Sequence, residues 1–396
     1  MSPSRCVLIL AAAFVASAVS LSAQDRFAGI PAAVQPFVDR HEISGAVMLV
    51  ADRDRIEHLS AIGTNDIATG RPMGTDDLFW IASMSKPITA IAVGILVDEG
   101  RLAWTDPVEK YLPEFHGQWV VAESAPGRRV LVPAARPITI ADLLTHTSGL
   151  GEYPVTAPHW SLAEYVKVLA REPLRFQPGT RWSYSTAGLD TAGRIVEVAS
   201  GEPFAAFMQK RIFDPLGMTQ TTFWVAPSDL PRYARSYVRN AAGQLVETTI
   251  HYMYGGAVTD RERPALGGAG LFSTAKDVLK IYQMMLHGGE LGGARILSAK
   301  TVAVMTTPHI GDLTARPGMP WGYGFCVVTD PSKMEANVGL SPGTFGHGGA
   351  FGTQSWADPK TGMITILMLQ RDKMGNPDNS PMRRAFRSAV VAAAAR

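Results

Sequence analysis

Apolar and polar residues follow two different periods along this chain, and each change of period marks an element. Ile30–Arg40 has helical spacing and predicts an opening helix. Ser44–Ala51 and Arg55–Ile62 are rich in β-formers and flank the charged turn Asp52-Arg-Asp54, which predicts a hairpin. A short apolar run, Leu78–Ala82, leads into a nearly all-apolar helix over Ile88–Glu99 that Gly100 stops. Between about residues 105 and 290, glycine and proline breaks separate the helical patterns Ile140–Thr145, Ser161–Arg171, Gly188–Ser200, Phe204–Phe213 and Lys276–His287. Ala122–Arg136, rich in Pro, Gly, Arg and Ala, reads as a surface excursion or an extra hairpin. From Gly322 the strand signature returns in Tyr323–Thr329, Gly352–Trp356 and Met363–Gln370, and a last helix is expected over Met382–Ala394. Strands toward both ends with helices between them predict an α+β fold. One sheet is built from both ends of the chain, and a mainly helical region is inserted at about 105–290.

Composition narrows the class. The 396 residues allow two domains, or one large core with an insertion. With 46% hydrophobic and only 18% charged residues, disorder and long solvated coiled coils are excluded. The 37 basic and 35 acidic side chains give a net charge of +2, which offers no footprint for nucleic acid or an anionic membrane. The first residues differ from the rest. Arg5 precedes the apolar run Val7–Val19, and small residues follow up to Ala23, the layout of a secretory signal peptide. Residues 1–23 are therefore expected to be a cleaved signal. Residues 24–396 are then an exported domain, periplasmic or secreted, without stable membrane insertion. Cys6 leaves with the signal, so Cys326 has no disulfide partner and is expected to be a buried, inert thiol.

Several chemistries lack support. The histidines show no H-x-x-x-H or H-E-x-x-H spacing, there is no C-x-x-C, and no phosphate-binding G-x-x-x-x-G-K-[ST] occurs, so neither metal nor nucleotide cofactor is expected. The one G-x-S-x-G match, Gly339-Leu-Ser341-Pro-Gly343, fails on physical grounds. The residue after a nucleophilic serine donates its N–H to the oxyanion, and Pro342 has none. Two S-x-x-K matches remain. Ser273-Thr-Ala-Lys276 stands where a helix begins, with Asp277 three residues after Thr274, and is expected to be a helix cap. Ser83-Met-Ser-Lys86 instead lies between a buried run and a buried helix. Positions three apart on a first helical turn share a face, so the Lys86 amine can reach the Ser83 hydroxyl. The helix N-terminus and the apolar neighbours Trp80, Ile81, Met84 and Ile88 favour a neutral amine able to take the serine proton.

Two further segments complete a pattern: Gln177-Pro-Gly-Thr-Arg-Trp-Ser-Tyr184-Ser-Thr186 and Gly346-His347-Gly-Gly349-Ala350. In order and spacing, these and Ser83-Met-Ser-Lys86 resemble serine hydrolases of the class C β-lactamase type. That group includes family VIII carboxylesterases, D-amino-acid peptidases and low-molecular-mass penicillin-binding proteins. Asp142-Leu-Leu-Thr-His-Thr-Ser-Gly-Leu150, Ile212-Phe-Asp-Pro-Leu-Gly-Met218 and Gly267-Gly-Ala-Gly-Leu-Phe-Ser-Thr274 look like the same family, and the likeness spans about residues 27–392. The resemblance implies a β-lactamase/transpeptidase-like fold with an antiparallel sheet flanked by helices. It implies that Ser83 becomes acylated, that Lys86 takes its proton, and that Tyr184 shares the acid–base work. It further implies an oxyanion hole from the backbone N–H groups of Ser83 and Ala350, with Thr186, His347, Gly348 and Gly349 against the substrate.

Two departures from that family's pattern point to the substrate. His347 stands where β-lactamases carry a lysine that pairs with the drug's carboxylate, and Thr186 replaces the usual asparagine amide. Both weaken the grip on charged, amide-bearing lactams and leave the acyl-transfer groups in place. A carboxylesterase acting on small esters is expected; the alternatives are a β-lactamase or D-peptidase, for which Arg371 could supply a carboxylate contact, and a slowly acylating sensor.

Overall fold

The computed structural model describes residues 25–152, 159–251, 256–334, 339–374 and 380–395. The expected signal sequence, 1–23, lies outside the described residues. A seven-stranded sheet carries the architecture. Its strands in chain order are β1 (Gly45–Ala51), β2 (Ile56–Asp66), β3 (Arg71–Pro72), β4 (Cys326–Val327), β5 (Phe345–Gly348), β6 (Gln354–Ala357) and β7 (Ile364–Met368), and their order across the sheet is β4-β5-β6-β7-β1-β2-β3. Every pairing is antiparallel. The two ends of the chain meet at β1 and β7, where Val47 faces Met368 and Ala51 faces Ile364. This is the α+β, antiparallel sheet that the sequence predicts.

Burial on both faces explains why β1 reads as an unbroken apolar run. Ala46, Met48 and Val50 point to one side, into a cluster with Ile30, Val34 and Phe37 of helix α1 (Ile30–Asp39) and Met382, Phe386 and Val390 of the closing helix Pro381–Ala394. Val47, Leu49 and Ala51 point to the other side, into the main core. That core is built from α2 (Ser85–Asp98), α3 (Ile140–Thr145), α4 (Leu162–Arg171), α5 (Thr186–Ser200), α6 (Phe204–Met208), α7 (Ala275–Leu286) and α8 (Ala299–Met305); the closing helix is α9. Side-chain caps set several helix starts. Thr139 and Ser161 form reciprocal capping boxes with Asp142 and Glu164, and Thr274 caps α7 through the Asp277 N–H, as its spacing predicts. Ser273 is buried beside it, 2.8 Å from the Thr221 hydroxyl.

Some boundaries differ from the sequence pattern. Residues 119–133 form a two-stranded hairpin, Trp119–Ala125 with Arg128–Pro133. The apolar run Tyr323–Thr329 contributes only Cys326–Val327 to the sheet, because the Gly322 N–H closes a turn onto Phe325 O at 2.9 Å. Helix α2 begins at Ser85, three residues before the expected Ile88. Ser341 sits in a turn closed by Thr344 N–H on its carbonyl, at 3.1 Å, and its hydroxyl bonds Asp358. Among the described residues no helix is long and apolar enough to cross a membrane.

Because Leu49 is fully buried at the centre of the sheet, Leu49→Ala is expected to cost about 2–5 kcal/mol of stability. Urea unfolding checks this: the midpoint should fall while the slope stays that of the parent.

Candidate active site

Ser83 is presented by a strained turn. Phe79–Trp80 pairs with Phe272–Ser273, and Ile81 N–H continues that contact onto Leu271 O at 3.0 Å. The chain then turns through Ala82, which is buried with φ at +48°, a left-handed conformation that a side chain resists. Ala82–Met84 forms one tight helical turn and α2 follows. The turn lifts Ser83 out of the core and leaves Lys86 on the next turn, inside it.

Lys86 is completely buried. Its Nζ donates to Ser83 Oγ at 3.0 Å, to Thr186 Oγ1 at 3.4 Å and to Gly268 O at 2.8 Å, and lies 4.8 Å from the centre of the Tyr184 ring. Gly268 O can only accept, whereas the two hydroxyls can also donate. A neutral amine can therefore keep its bond to Gly268 and turn its lone pair to Ser83 without moving. Tyr184 and Thr186 arrive together at the start of α5, whose cap is Ser185. The Thr186 N–H donates to the Glu152 carboxylate.

The third segment forms the opposite wall. His347 and Gly348 pair with Ser355 and Gln354 of β6, but β4 pairs only with Phe345 and Gly346. The second edge of His347-Gly348 is thus left without a strand beside it, and it faces a cavity of about 190 Å³. Ser83, Tyr184, Thr186, His347, Gly348, Gly349 and Ala350 all line that cavity; Lys86 lies behind them, bonded to Ser83. Gly349 serves a purpose the sequence does not reveal. A Cβ at 349 would come 2.0 Å from Thr353 Oγ1 and 2.7 Å from Ile81 O, so its absence lets the turn after β5 close onto the Ser83 segment. Arg371 is absent from the lining; it starts a two-residue strand beside Tyr237–Arg239.

The electrostatics of the walls come from burial. His347 Nδ1 lies 2.6 Å from Gly348 O, a carbonyl that can only accept, so the ring proton sits on Nδ1 and Nε2 is a bare acceptor. Desolvation, then Lys86, holds this imidazole well below its ordinary range, so it is uncharged at neutral pH. His146 is also buried. It accepts the Ser185 N–H at 3.2 Å and is tilted against the Tyr184 ring with centres 4.5 Å apart; desolvation and Lys86 depress it in the same way. Cys326 is a free thiol on the cavity wall, pushed up to about 11 by burial, which suits the inert role expected of it.

Several residues here escape sequence reasoning. Trp321, Trp356 and Arg316 join the lining without having been singled out, beside Trp80, Ala82 and Ala269 from segments the sequence had marked. Asp190 is fully buried on α5, where it accepts the Gly268 N–H at 2.8 Å, while Lys86 holds the carbonyl of the same residue. Its one visible signal was a carboxylate among the small and apolar residues at the start of the helical pattern Gly188–Ser200. Burial raises its carboxyl to about 7, against the lowering effects of the Gly268 N–H and Lys86. His159, Asp260 and Glu262 come within 4.8 Å of one another, but none of them lines this cavity.

A serine joined to a buried lysine, beside a tyrosine and an open strand edge, is an arrangement suited to a serine hydrolase. The chain belongs to the β-lactamase family, whose profile matches residues 30–388. Esterase EstB of Burkholderia gladioli is 32% identical over 96% of this chain and 99% of its own length. The lovastatin esterase of Penicillium rubens is 34% identical over 78% of this chain and 80% of its own. Among solved structures, EstCE1, a hydrolase with promiscuous acyltransferase activity, superposes with a TM-score of 0.77 at 25% identity, covering 93% of this chain and 98% of that one.

Asp190 predicts a pH dependence. Folded, it keeps its proton up to about 7; unfolded, it releases it near 3.8. Folding therefore binds a proton between those values, and the stability that Asp190 contributes falls as pH rises from about 4 to 7, then levels. Thermal unfolding of Asp190→Asn against the parent across that window should show the variant losing less stability on going from pH 4 to 7. Parallel profiles would contradict the assignment.

Proposed function

We propose that the protein is a carboxylesterase for small, uncharged esters, working through an acyl-enzyme on Ser83. The observation that carries this choice is the state of His347: a buried ring on the cavity wall, held uncharged by desolvation and Lys86. An uncharged ring offers no positive charge to a substrate carboxylate, whereas a neutral ester needs none. The indole-rich walls, Trp80, Trp321 and Trp356, favour apolar acyl or alcohol groups. The esterase names of two relatives point the same way.

In this mechanism Ser83 Oγ attacks the ester carbon as its proton passes to Lys86, with Tyr184 sharing the transfer. The carbonyl oxygen, now negative, is held by the N–H groups of Ser83 and Ala350. As the tetrahedral centre collapses, the C–O bond to the alcohol breaks and the proton leaves with the alcohol. Water then attacks the acyl-enzyme, giving its proton to the same pair, and Ser83 is released with the carboxylic acid. The apolar run near the N-terminus, Val7–Val19, supports export to the periplasm or beyond as part of the same proposal.

A second reading, hydrolysis of lactams or D-peptides, is favoured by Arg316, which lies on the cavity wall over the Trp321 ring at 5.6 Å and would suit an anionic substrate. Steady-state kinetics on short-chain p-nitrophenyl esters, a chromogenic cephalosporin and a D-alanyl peptide decide between them. The esters should turn over with the highest kcat/KM, and a preference for either of the others would overturn the ester reading. A burst of one product per enzyme without turnover would mark an acylated sensor.

Residue roles have their own test. Ser83→Ala should lose turnover and fluorophosphonate labelling, and Lys86→Ala and Tyr184→Phe should each lower kcat by about 10²–10⁴-fold. Ser273→Ala and Ser341→Ala should label normally.

A further inference from the structure

The peptide joining Gly349 to Ala350 has two sides. A trans peptide is planar, with its C=O and N–H pointing in opposite directions, so fixing the oxygen fixes the hydrogen. Gly349 O accepts from Nη2 of Arg383, a completely buried side chain near the start of α9, at 3.2 Å. The same guanidinium donates to Thr353 O at 2.5 Å, from Nη2, and to Gly352 O at 3.1 Å, from Nε. One rigid fork thus holds three carbonyls of a five-residue turn that contains Ala350. Further bonds tie the turn down: Gly349 N–H to Thr353 O at 2.7 Å, Gly352 N–H to the same Gly349 O at 3.1 Å, Arg371 N–H to Phe351 O at 2.9 Å, and Thr353 Oγ1 to Ile81 O, two residues before Ser83, at 3.3 Å.

We infer that Arg383 is a positioning residue for catalysis, orienting the Ala350 N–H toward the reacting oxygen from the far side of its peptide. The inference rests on the oxyanion-hole role proposed above for Ser83 and Ala350. Position and chemistry support it. A cation at a helix N-terminus opposes the helix dipole. Burial, Arg387 and Arg316 push the Arg383 guanidinium down to about 9, so its surroundings disfavour its charge. A guanidinium bonded to the Gly349 oxygen also polarises the peptide, which makes the Ala350 N–H a stronger donor. A lysine could offer charge at one point but not three donors in a fixed plane.

The test compares an oxygen ester with the matching thionoester, whose sulfur profits less from oxyanion-hole donors, in the intact protein. The parent should prefer the oxygen ester strongly; equal rates would remove the oxyanion-hole reading itself. Given that preference, Arg383→Met should lower kcat on the oxygen ester by about 10²–10³-fold with KM nearly unchanged, and shrink the oxygen-to-sulfur ratio toward one. Arg383→Lys should fall between. Arg387→Met removes another buried arginine of α9 that does not line the active-site cavity, so it should leave the ratio at the parental value whatever it does to stability. If Arg383→Met fails to fold, Arg383→Lys and Thr353→Val decide, since both loosen the same turn and should shrink the ratio. A parental ratio in the folded Arg383 variants, or an equal loss in Arg387→Met, would overturn the positioning role while leaving the oxyanion hole standing.

Discussion

A buried amine is the constraint on which this structure turns. Lys86 has no exposed surface, and an amine taken out of water must find hydrogen-bond partners or lose several kcal/mol. Its partners stand 3, 100 and 182 residues away along the chain, at Ser83, Thr186 and Gly268. The first turn of α2, the start of α5 and the Gly267–Gly270 loop must therefore converge before the lysine is satisfied. Satisfying it assembles the reactive groups, so packing and chemistry are one event at this point in the fold. Asp190 extends the arrangement one step further, because it holds the N–H of the residue whose carbonyl Lys86 uses.

Around that amine, two pieces of backbone are held in conformations that need outside support. Ala82 is left-handed just before Ser83, and the turn at Gly349 approaches the same segment too closely for a side chain. Each supports the other through the Thr353–Ile81 hydrogen bond. The strain sits beside the serine, where a displaced backbone amide would matter most, and the rigid elements behind it, the sheet and α9, carry the cost.

The site is polar without being strongly charged. His146 and His347 are both neutral through burial, and Asp190 keeps its proton to about neutral pH. These three groups are uncharged through burial, tryptophans stand beside them, and Arg316 is a cation on the cavity wall.

Much of the frame was legible in the chain. The continuous apolar run of β1, the cap at Thr274 and the Ser83–Lys86 spacing are local signals, set by backbone periodicity and by side chains a few residues apart. The proline after Ser341 was enough to dismiss a false motif. What the chain could not show is what depends on distant partners. His347 is a weak base in any sequence and becomes a fixed neutral acceptor only when Gly348 and the surrounding core enclose it. Asp190 looks like one acid among many until α5 buries it. Arg383 looks like a surface cation on a closing helix until three carbonyls of another segment meet it. Charge state, strain and orientation depend on solvent exclusion and on groups far apart in sequence, and only the tertiary fold brings those together.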